Sequence, residues 1–271
     1  MIKIIILDVY YLQMPYIIEN NKLILHKVFV LTSHILQVLG KVRKVIFLIG
    51  PQDQLRFDMS QLKLVPQNVE KIKFRFEKKF LSKLFLPISR KIGRMIRFDD
   101  YFNLPVDNIP FGTEYLHLGL CFNHPVDNLP CGLRYLRLGK RFNKPLDFLP
   151  ESLTHLFFNG EYHFPLYNLP NSLKFLLFND NYYGSLNNLP DNIEVIIFGY
   201  SMDENGCWNM NYSPSYMVGP SEPVRRLPKN LKYFLVNGNY DWLMDMRLEY
   251  PNVKFITEES FSFPTNFSIS I

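Results

Sequence analysis

Between Phe102 and Phe198 a 20-residue phrase is written five times, beginning at positions 102, 122, 142, 162 and 182. Its prolines keep the period at Pro110, Pro130, Pro150, Pro170 and Pro190. The first three copies open Phe102-Asn103-Leu104-Pro105, Phe122-Asn123-His124-Pro125 and Phe142-Asn143-Lys144-Pro145, and each runs on through an aspartate to its second proline. An apolar run follows, clearest at Leu133, Leu136 and Leu138 and repeated at Leu153, Leu156 and Phe158, at Leu173, Leu176 and Phe178, and at Ile193, Ile196 and Phe198. A fixed period of this length is the signature of stacked repeats, in which each unit buries its apolar face only against the next.

The last two apolar positions of each run are two residues apart, the strand period, so one short strand per repeat is expected. The Leu-Pro before each strand fixes a backbone angle and biases its leucine toward extended geometry, so the return path should be extended and not helical. Gly119, Gly139, Asn159-Gly160, Asn179-Asp180 and Gly199 follow the strands, where a turn with positive φ is expected. In the third copy Phe142, Leu146, Leu149, Leu153, Leu156 and Phe158 face inward. Their burial does not offset the backbone entropy of the repeat, so one copy does not fold alone. Stacking adds parallel strand pairing about 4.8 Å apart and a shared core.

The Phe-Asn-x-Pro openings and the Leu-Pro-x-x-Leu-x-x-Leu-x-Phe strands resemble FNIP repeats, a leucine-rich-repeat-like module of social amoebae and of giant viruses that infect amoebae. The strand phrase is also similar to the short leucine-rich repeats of bacterial effectors. Two features depart from the pattern. The period is slightly shorter than the usual FNIP repeat, and the fourth and fifth copies read Tyr162-His163-Phe164-Pro165 and Tyr182-Tyr183-Gly184-Ser185. An asparagine ladder through Asn103, Asn123 and Asn143 should therefore stop there. The fold class is accordingly mainly β, a leucine-rich-repeat-like parallel β solenoid with 20-residue repeats, capped at the N-terminus by a small α/β segment. The resemblance implies a binding solenoid; the residues show no catalytic constellation, so a non-enzymatic module is expected, and the composition agrees with a cytoplasmic one, in the host cytoplasm for a viral member. Some FNIP proteins carry an F-box before the repeats, which implies a second role, the substrate receptor of a ubiquitin ligase working through a ligase adaptor. No F-box is recognisable in this chain.

Outside the regular copies the phrase is worn. Residues 1–60 are expected to form the cap, with a strand at Ile2 to Val9, a helix within His26 to Leu39, and Val42, Val45 and Phe47 as a first solenoid strand. Residues 61–256 form the solenoid: Pro66, Val69, Ile72 and Phe74 fit the strand template, and Ile96 and Phe98 fit its second half. Pro190 to Pro228 spans 38 residues, so a loop insertion is expected over 200–226, with Asn205-Gly206, Pro214, Gly219-Pro220 and Pro223 inside it. Leu231, Phe234 and Val236 make one more strand, Asp241 to Tyr250 a short helix, and Val253 to Ile256 a last strand. The tail from Thr257 through 271 is expected to be loose.

Function should sit where strand residues between the core positions point outward on the concave face. One outward column reads Lys71, Met95, Tyr115, Tyr135, His155, Phe175, Val195 and Tyr233, and the other Lys73, Arg97, His117, Arg137, Phe157, Leu177, Ile197 and Leu235. The first half is basic and aromatic. The second half is an apolar stripe that water does not tolerate uncovered, so it marks an interface or is covered by the 200–226 loop or the tail. The expected partner-binding residues are Arg97, Tyr115, Tyr135, Arg137, Phe157, Phe175, Leu177, Val195, Ile197, Tyr233 and Leu235, with Arg97 and Arg137 selecting an acidic edge.

Other chemistries find less support. Residues 41–100 carry 15 Lys and Arg against 6 Asp and Glu, a net +9, while residues 101–200 carry 6 against 9, a net −3. A basic end with tyrosines beside it keeps nucleic acid open as an alternative, although a solvated face explains it as well. The six histidines, His26, His34, His117, His124, His155 and His163, show no zinc-binding pair, and His117 and His155 read as surface or rim residues. Cys121, Cys131 and Cys207 fit neither a disulfide framework nor a metal spacing. No cofactor, catalytic residue or metal site is expected, and no apolar run is long enough for a membrane helix. The sequons at Asn211 and Asn266 read as chance.

Overall fold

The computed structural model describes residues 16–19, 21–26, 31, 33–48, 59–75, 94–98, 100–202, 208–210, 219–220, 222–236 and 240–257. Within them the chain is mainly β. The repeat strands are β4 (Lys71–Arg75), β5 (Arg94–Arg97), β6 (Thr113–His117), β7 (Tyr135–Arg137), β8 (His155–Phe158), β9 (Phe175–Phe178) and β10 (Val195–Phe198). They are preceded by β1 (Tyr16–Glu19), β2 (Lys22–His26), helix α1 (Ser33–Leu39), β3 (Lys44–Leu48) and a 3-10 turn at Met59–Leu64. After β10 come β11 (Tyr200–Met202), β12 (Trp208–Met210), β13 (Tyr233–Leu235), helix α2 (Trp242–Glu249) and β14 (Lys254–Ile256).

One twelve-stranded sheet takes these in the order β1 to β10, then β13 and β14. Only β1 is antiparallel to its neighbour; from β2 onward each pairing is parallel, which makes the sheet the wall of a β solenoid. The register advances by one repeat at each step: Leu116 pairs with Leu136, Leu136 with Leu156, Leu156 with Leu176 and Leu176 with Ile196. The sheet therefore continues through residues 22–48, and one core runs from Leu23 to Met246.

The proline of each copy opens a tight turn. The N–H groups of Leu133, Leu153 and Leu173 each donate to the carbonyl of the proline three residues before, at 3.0 Å. That turn needs no donor from proline itself and delivers the first core leucine at the foot of the strand. The opening phenylalanines then stack along the return arcs: Phe102, Phe122 and Phe142 follow one another with ring centroids 6.2 Å apart, continued by Tyr162 at 6.2 Å and Tyr182 at 6.1 Å. Beside them runs a polar ladder, in which Asn103 Oδ1 accepts from Asn123 N–H at 2.9 Å, Asn123 Oδ1 from Asn143 N–H at 3.0 Å, and Asn143 Oδ1 from His163 N–H at 3.2 Å. His163 carries no side-chain carbonyl to pass on, so the ladder ends there as the sequence implies.

Several local expectations need correction. Of the post-strand residues expected at positive φ, Gly199 alone has it, at 79°; among the described residues the other positive-φ glycine is Gly112, in the turn that opens β6. Gly139 and Gly160 are glycine for a different reason: a Cβ there would overlap the backbone carbonyl oxygens of Gly119 and Lys140 in the preceding turn. Before α1, Tyr16–Glu19 and Lys22–His26 pair as the β1–β2 hairpin, whose turn uses Asn21 at a φ of 62°, and the helix is Ser33–Leu39. The 200–226 insertion is not all loop, because β11 and β12 pair as an antiparallel hairpin. It returns to the solenoid where Pro220 bridges to Tyr182 and where Asn187 Oδ1 accepts from Arg225 and Arg226 N–H at 2.7 and 3.0 Å. Thr257 is buried, so the chain is held at least that far. The strand expected at Ile2 to Val9, the side chains of His26 and His34, Cys207, both sequons and residues 258–271 lie outside the described residues.

Two substitutions separate the roles of glycine. Gly139→Ala should destabilise by about 3 kcal/mol or more, because it overpacks rigid backbone. Gly132→Ala, where a Cβ meets nothing within 4 Å, should stay within about 0.5 kcal/mol. Urea melts of the two variants check this. Asn123→Ala, which removes one rung of the ladder, should cost about 1 kcal/mol in the same assay.

Candidate binding face on the outer side of the sheet

Strand residues alternate between the main core and the opposite face of the sheet. The observed register assembles on that face the two columns read from the sequence: Met95, Tyr115, Tyr135, His155, Phe175, Val195 and Tyr233 in one, and Arg97, His117, Arg137, Phe157, Leu177, Ile197 and Leu235 in the other. Lys71 and Lys73 precede them, and Lys254 and Ile256 extend them on β14.

The first column stacks. Tyr115 and Tyr135 have ring centroids 5.9 Å apart, Tyr135 and His155 4.3 Å, and His155 and Phe175 5.5 Å. These spacings bracket the inter-strand distance, because each ring inherits its position from a paired strand. Beside it Arg137 Nε donates to Asn159 Oδ1 at 3.2 Å, which turns the guanidinium along the face. Met95, Arg97, Tyr115, Tyr135, Arg137, His155, Val195 and Tyr233 are half-buried, each keeping part of its surface in water.

Of the two expectations for the apolar half, an interface or a covered stripe, the burial fits the second. Phe157, Phe175, Leu177, Ile197, Leu235 and Ile256 form a second hydrophobic cluster, none of them more than 6 % exposed, with Tyr135, Val195 and Tyr233 packed against it. A β-sheet residue flanked only by its strand neighbours keeps its top in water, so these side chains are covered as well as flanked. The anchors expected to be offered to a partner at Phe157, Phe175, Leu177, Ile197 and Leu235 are already buried within this chain. Their columns were legible because strand alternation is local; their cover was not, because it depends on what lies above the sheet. Ile256 joins the stripe unforeseen, since only the pairing of β14 with β13 aligns it with Leu235.

The histidines are also more deeply placed than surface or rim residues. His117 is buried, and its pKa falls well below the ordinary imidazole value, first through desolvation and then through Arg137, Arg97 and Lys73. His155 is pushed down to about 4 by burial, helped by Lys174, while the Thr154 hydroxyl lies 2.8 Å from its Nδ1. Burial raises the pKa of Tyr115 and of Tyr135. Both imidazoles are therefore neutral at pH 7 and serve as flat, weakly polar rungs.

A further cation went unnoticed in the sequence. Arg94 is buried where its register partner Thr113 stands in the next repeat, and its guanidinium donates to the carbonyls of Val69 at 3.2 Å, Val65 at 2.8 Å and Phe111 at 3.4 Å, and to Pro66. An arginine in the slot filled by Leu133 two repeats later was the available signal. It serves backbone carbonyls at the foot of β5, which makes it a structural residue. Among the described residues no group of His, Cys, Asp and Glu is placed to hold a metal ion, and no helix is long and apolar enough to cross a membrane.

Residues 122–161 match the family model of the FNIP Repeat. This chain is an FNIP repeat-containing protein. The matched stretch is the pair of copies opening at Phe122 and Phe142, the two whose asparagines each both receive and pass on a ladder hydrogen bond. No curated protein matches the chain. The FNIP repeats and the solenoid together describe a repeat protein of the kind that presents a surface for interaction.

The depressed imidazoles fix the sign of a pH effect. A histidine whose folded pKa is about 4 against about 6.5 unfolded contributes full stability above pH 6.5 and loses it as the pH falls toward 4, because the unfolded chain takes up the proton first. For His155 the loss is at most about 3 kcal/mol. His155→Gln should flatten the fall in thermal midpoint between pH 6.5 and pH 4, which calorimetry across that range measures.

Proposed function

We propose that this FNIP repeat protein is a binding module and not an enzyme, and that it engages a protein partner through the half-buried, aromatic and basic part of the outer sheet face. The observation that carries this reading is the in-register stack of Tyr115, Tyr135 and His155 beside Arg97 and Arg137. Flat rings already held by paired strands lose little conformational freedom on binding, and arginine adds bidentate recognition of carboxylates. The partner surface is acidic, with an apolar residue to lie on the tyrosines. Val195 and Tyr233 extend the same column toward the C-terminal end and form the far rim of the contact.

The buried stripe takes no direct part in this reading. Phe157, Phe175, Leu177, Ile197 and Leu235 are a floor that holds the neighbouring rungs in position. Cys121 and Cys131 are free thiols, in keeping with a reducing, cytoplasmic setting.

The test is affinity purification with mass spectrometry from cells expressing the wild-type chain or Tyr135→Ser/Arg137→Glu, both first matched in circular dichroism. Specific partners should be retained by the wild type and depleted at least tenfold by the variant. Equal recovery sinks the reading. Ligase adaptors among the lost partners would make the protein a substrate receptor; their absence would leave it a scaffold.

One alternative has an observation of its own. Cations at Lys71, Arg97 and Arg137 beside stacked tyrosines also suit single-stranded nucleic acid, in which bases stack on rings and phosphates meet the cations; Lys73, expected among them, is buried and not open to a phosphate. In that case binding of an oligonucleotide should weaken steeply with salt, and Arg97→Glu should reduce the slope of that dependence. A fluorescence anisotropy titration without a saturable change removes this alternative.

A further inference from the structure

The outer face changes character at His155, the rung between the half-buried tyrosines and the buried stripe. Its ring is held in plane by Tyr135 at 4.3 Å and Phe175 at 5.5 Å. The residue before it decides where its proton sits. The Thr154 hydroxyl lies 2.8 Å from His155 Nδ1 and 3.0 Å from the carbonyl oxygen of Arg134. That carbonyl already accepts from the backbone N–H groups of Thr154 and His155, at 2.9 and 3.0 Å. A carbonyl oxygen has two lone pairs, and a hydroxyl has one hydrogen. With both lone pairs engaged, the hydroxyl hydrogen goes to the nearer acceptor, the bare Nδ1, and the ring proton stands on Nε2.

We infer that Thr154 holds His155 as the Nε2–H tautomer, and that this N–H is a neutral donor for a carboxylate oxygen of the partner, a choice of ligand that rests on the partner reading.

The surroundings of both residues support this. His155 keeps part of its surface in water, and among the described residues no hydrogen bond engages its Nε2, which lies on the ring edge away from the backbone. Thr154 is a departure at its place in the repeat. The hydrogen-bonded rim of Glu114, Arg134, Thr154, Lys174, Glu194 and Lys232 is charged at each member except Thr154. The one hydroxyl in that rim precedes the one histidine, whereas the charged members precede Tyr115, Tyr135, Phe175, Val195 and Tyr233, which have no ring nitrogen to receive a proton. Burial keeps His155 neutral at pH 7, so it adds a donor without the desolvation cost of a further cation. Arg137 stands on the adjacent strand. An acidic segment lying across β7 and β8 therefore meets a charged fork and a neutral donor one strand step apart.

The first experiment needs no partner. Full-length protein labelled with nitrogen-15 histidine gives long-range imidazole correlations at pH 7, and the His155 ring is assigned by its loss in His155→Gln. Nε2 should show the shift of a protonated nitrogen and Nδ1 that of a bare one. Thr154→Ala should move both toward the averaged shifts of a freely exchanging ring, and Thr154→Ser should restore them. A proton on Nδ1, or a ring indifferent to Thr154→Ala, overturns the inference and leaves the partner reading standing. The second experiment takes as its probe the proteins that the wild-type chain retains in affinity purification. His155→Phe keeps a flat ring in the stack and removes the N–H, so it should lower their recovery roughly fivefold, the order of one neutral hydrogen bond. Loss of these proteins with Tyr135→Ser/Arg137→Glu but full recovery with His155→Phe overturns the donor role alone. Full recovery with both variants overturns the partner reading and the donor role together.

Discussion

Parallel pairing in a constant 20-residue register is the interaction on which the rest of this molecule depends. It places every residue over its counterpart one turn away, so a favourable contact at one position recurs along the axis. Phe102, Phe122 and Phe142 stack at equal spacing because the register puts them there. The same constraint acts against side chains where turns approach most closely. Gly139 and Gly160 have no Cβ because the previous turn's carbonyls occupy its place.

A solenoid built this way has two vulnerable features, its interruptions and its ends. The long excursion between Pro190 and Pro228 breaks the period, and the chain closes around it with polar groups. Asp191 holds Arg226 and Lys229, and Glu194 holds Lys232, so ion pairs join the turns on either side of the excursion beside the Asn187 amide that accepts from Arg225 and Arg226. At the start, Arg94 replaces an apolar residue and satisfies several carbonyls at once, the kind of site where a guanidinium outperforms a lysine. At the finish, α2 contributes Leu243 and Met246 to the core and shields its last layer.

The outer face divides along the axis by chemistry. Toward the N-terminal side it carries Arg97, Arg137, Tyr115 and Tyr135, which keep part of their surface in water. Toward the C-terminal side it is apolar and covered. These halves are continuous in register, so Tyr135 touches both: it stacks on His155 and also packs against the buried cluster. A change in the cover is therefore mechanically close to the rungs proposed to meet a partner, without any residue having to move between strands.

What the sequence determined by itself was everything that repeats or alternates locally: the period, the strand in each copy, the inward leucines and phenylalanines, both outward columns, and the end of the asparagine ladder at His163. These follow from spacing along the chain, which strand geometry converts directly into position. The tertiary structure alone decided the β1–β2 hairpin, the β11–β12 hairpin inside the insertion, the reason for glycine at 139 and 160, the burial of His117 and Arg94, and the alignment of Ile256 with Leu235. Each of these depends on a neighbour distant in sequence. Above all, alternation could place Phe157, Phe175, Leu177 and Ile197 on the outer face but could not tell whether that face was open, because exposure is set by what packs above a sheet and not by the strand that forms it.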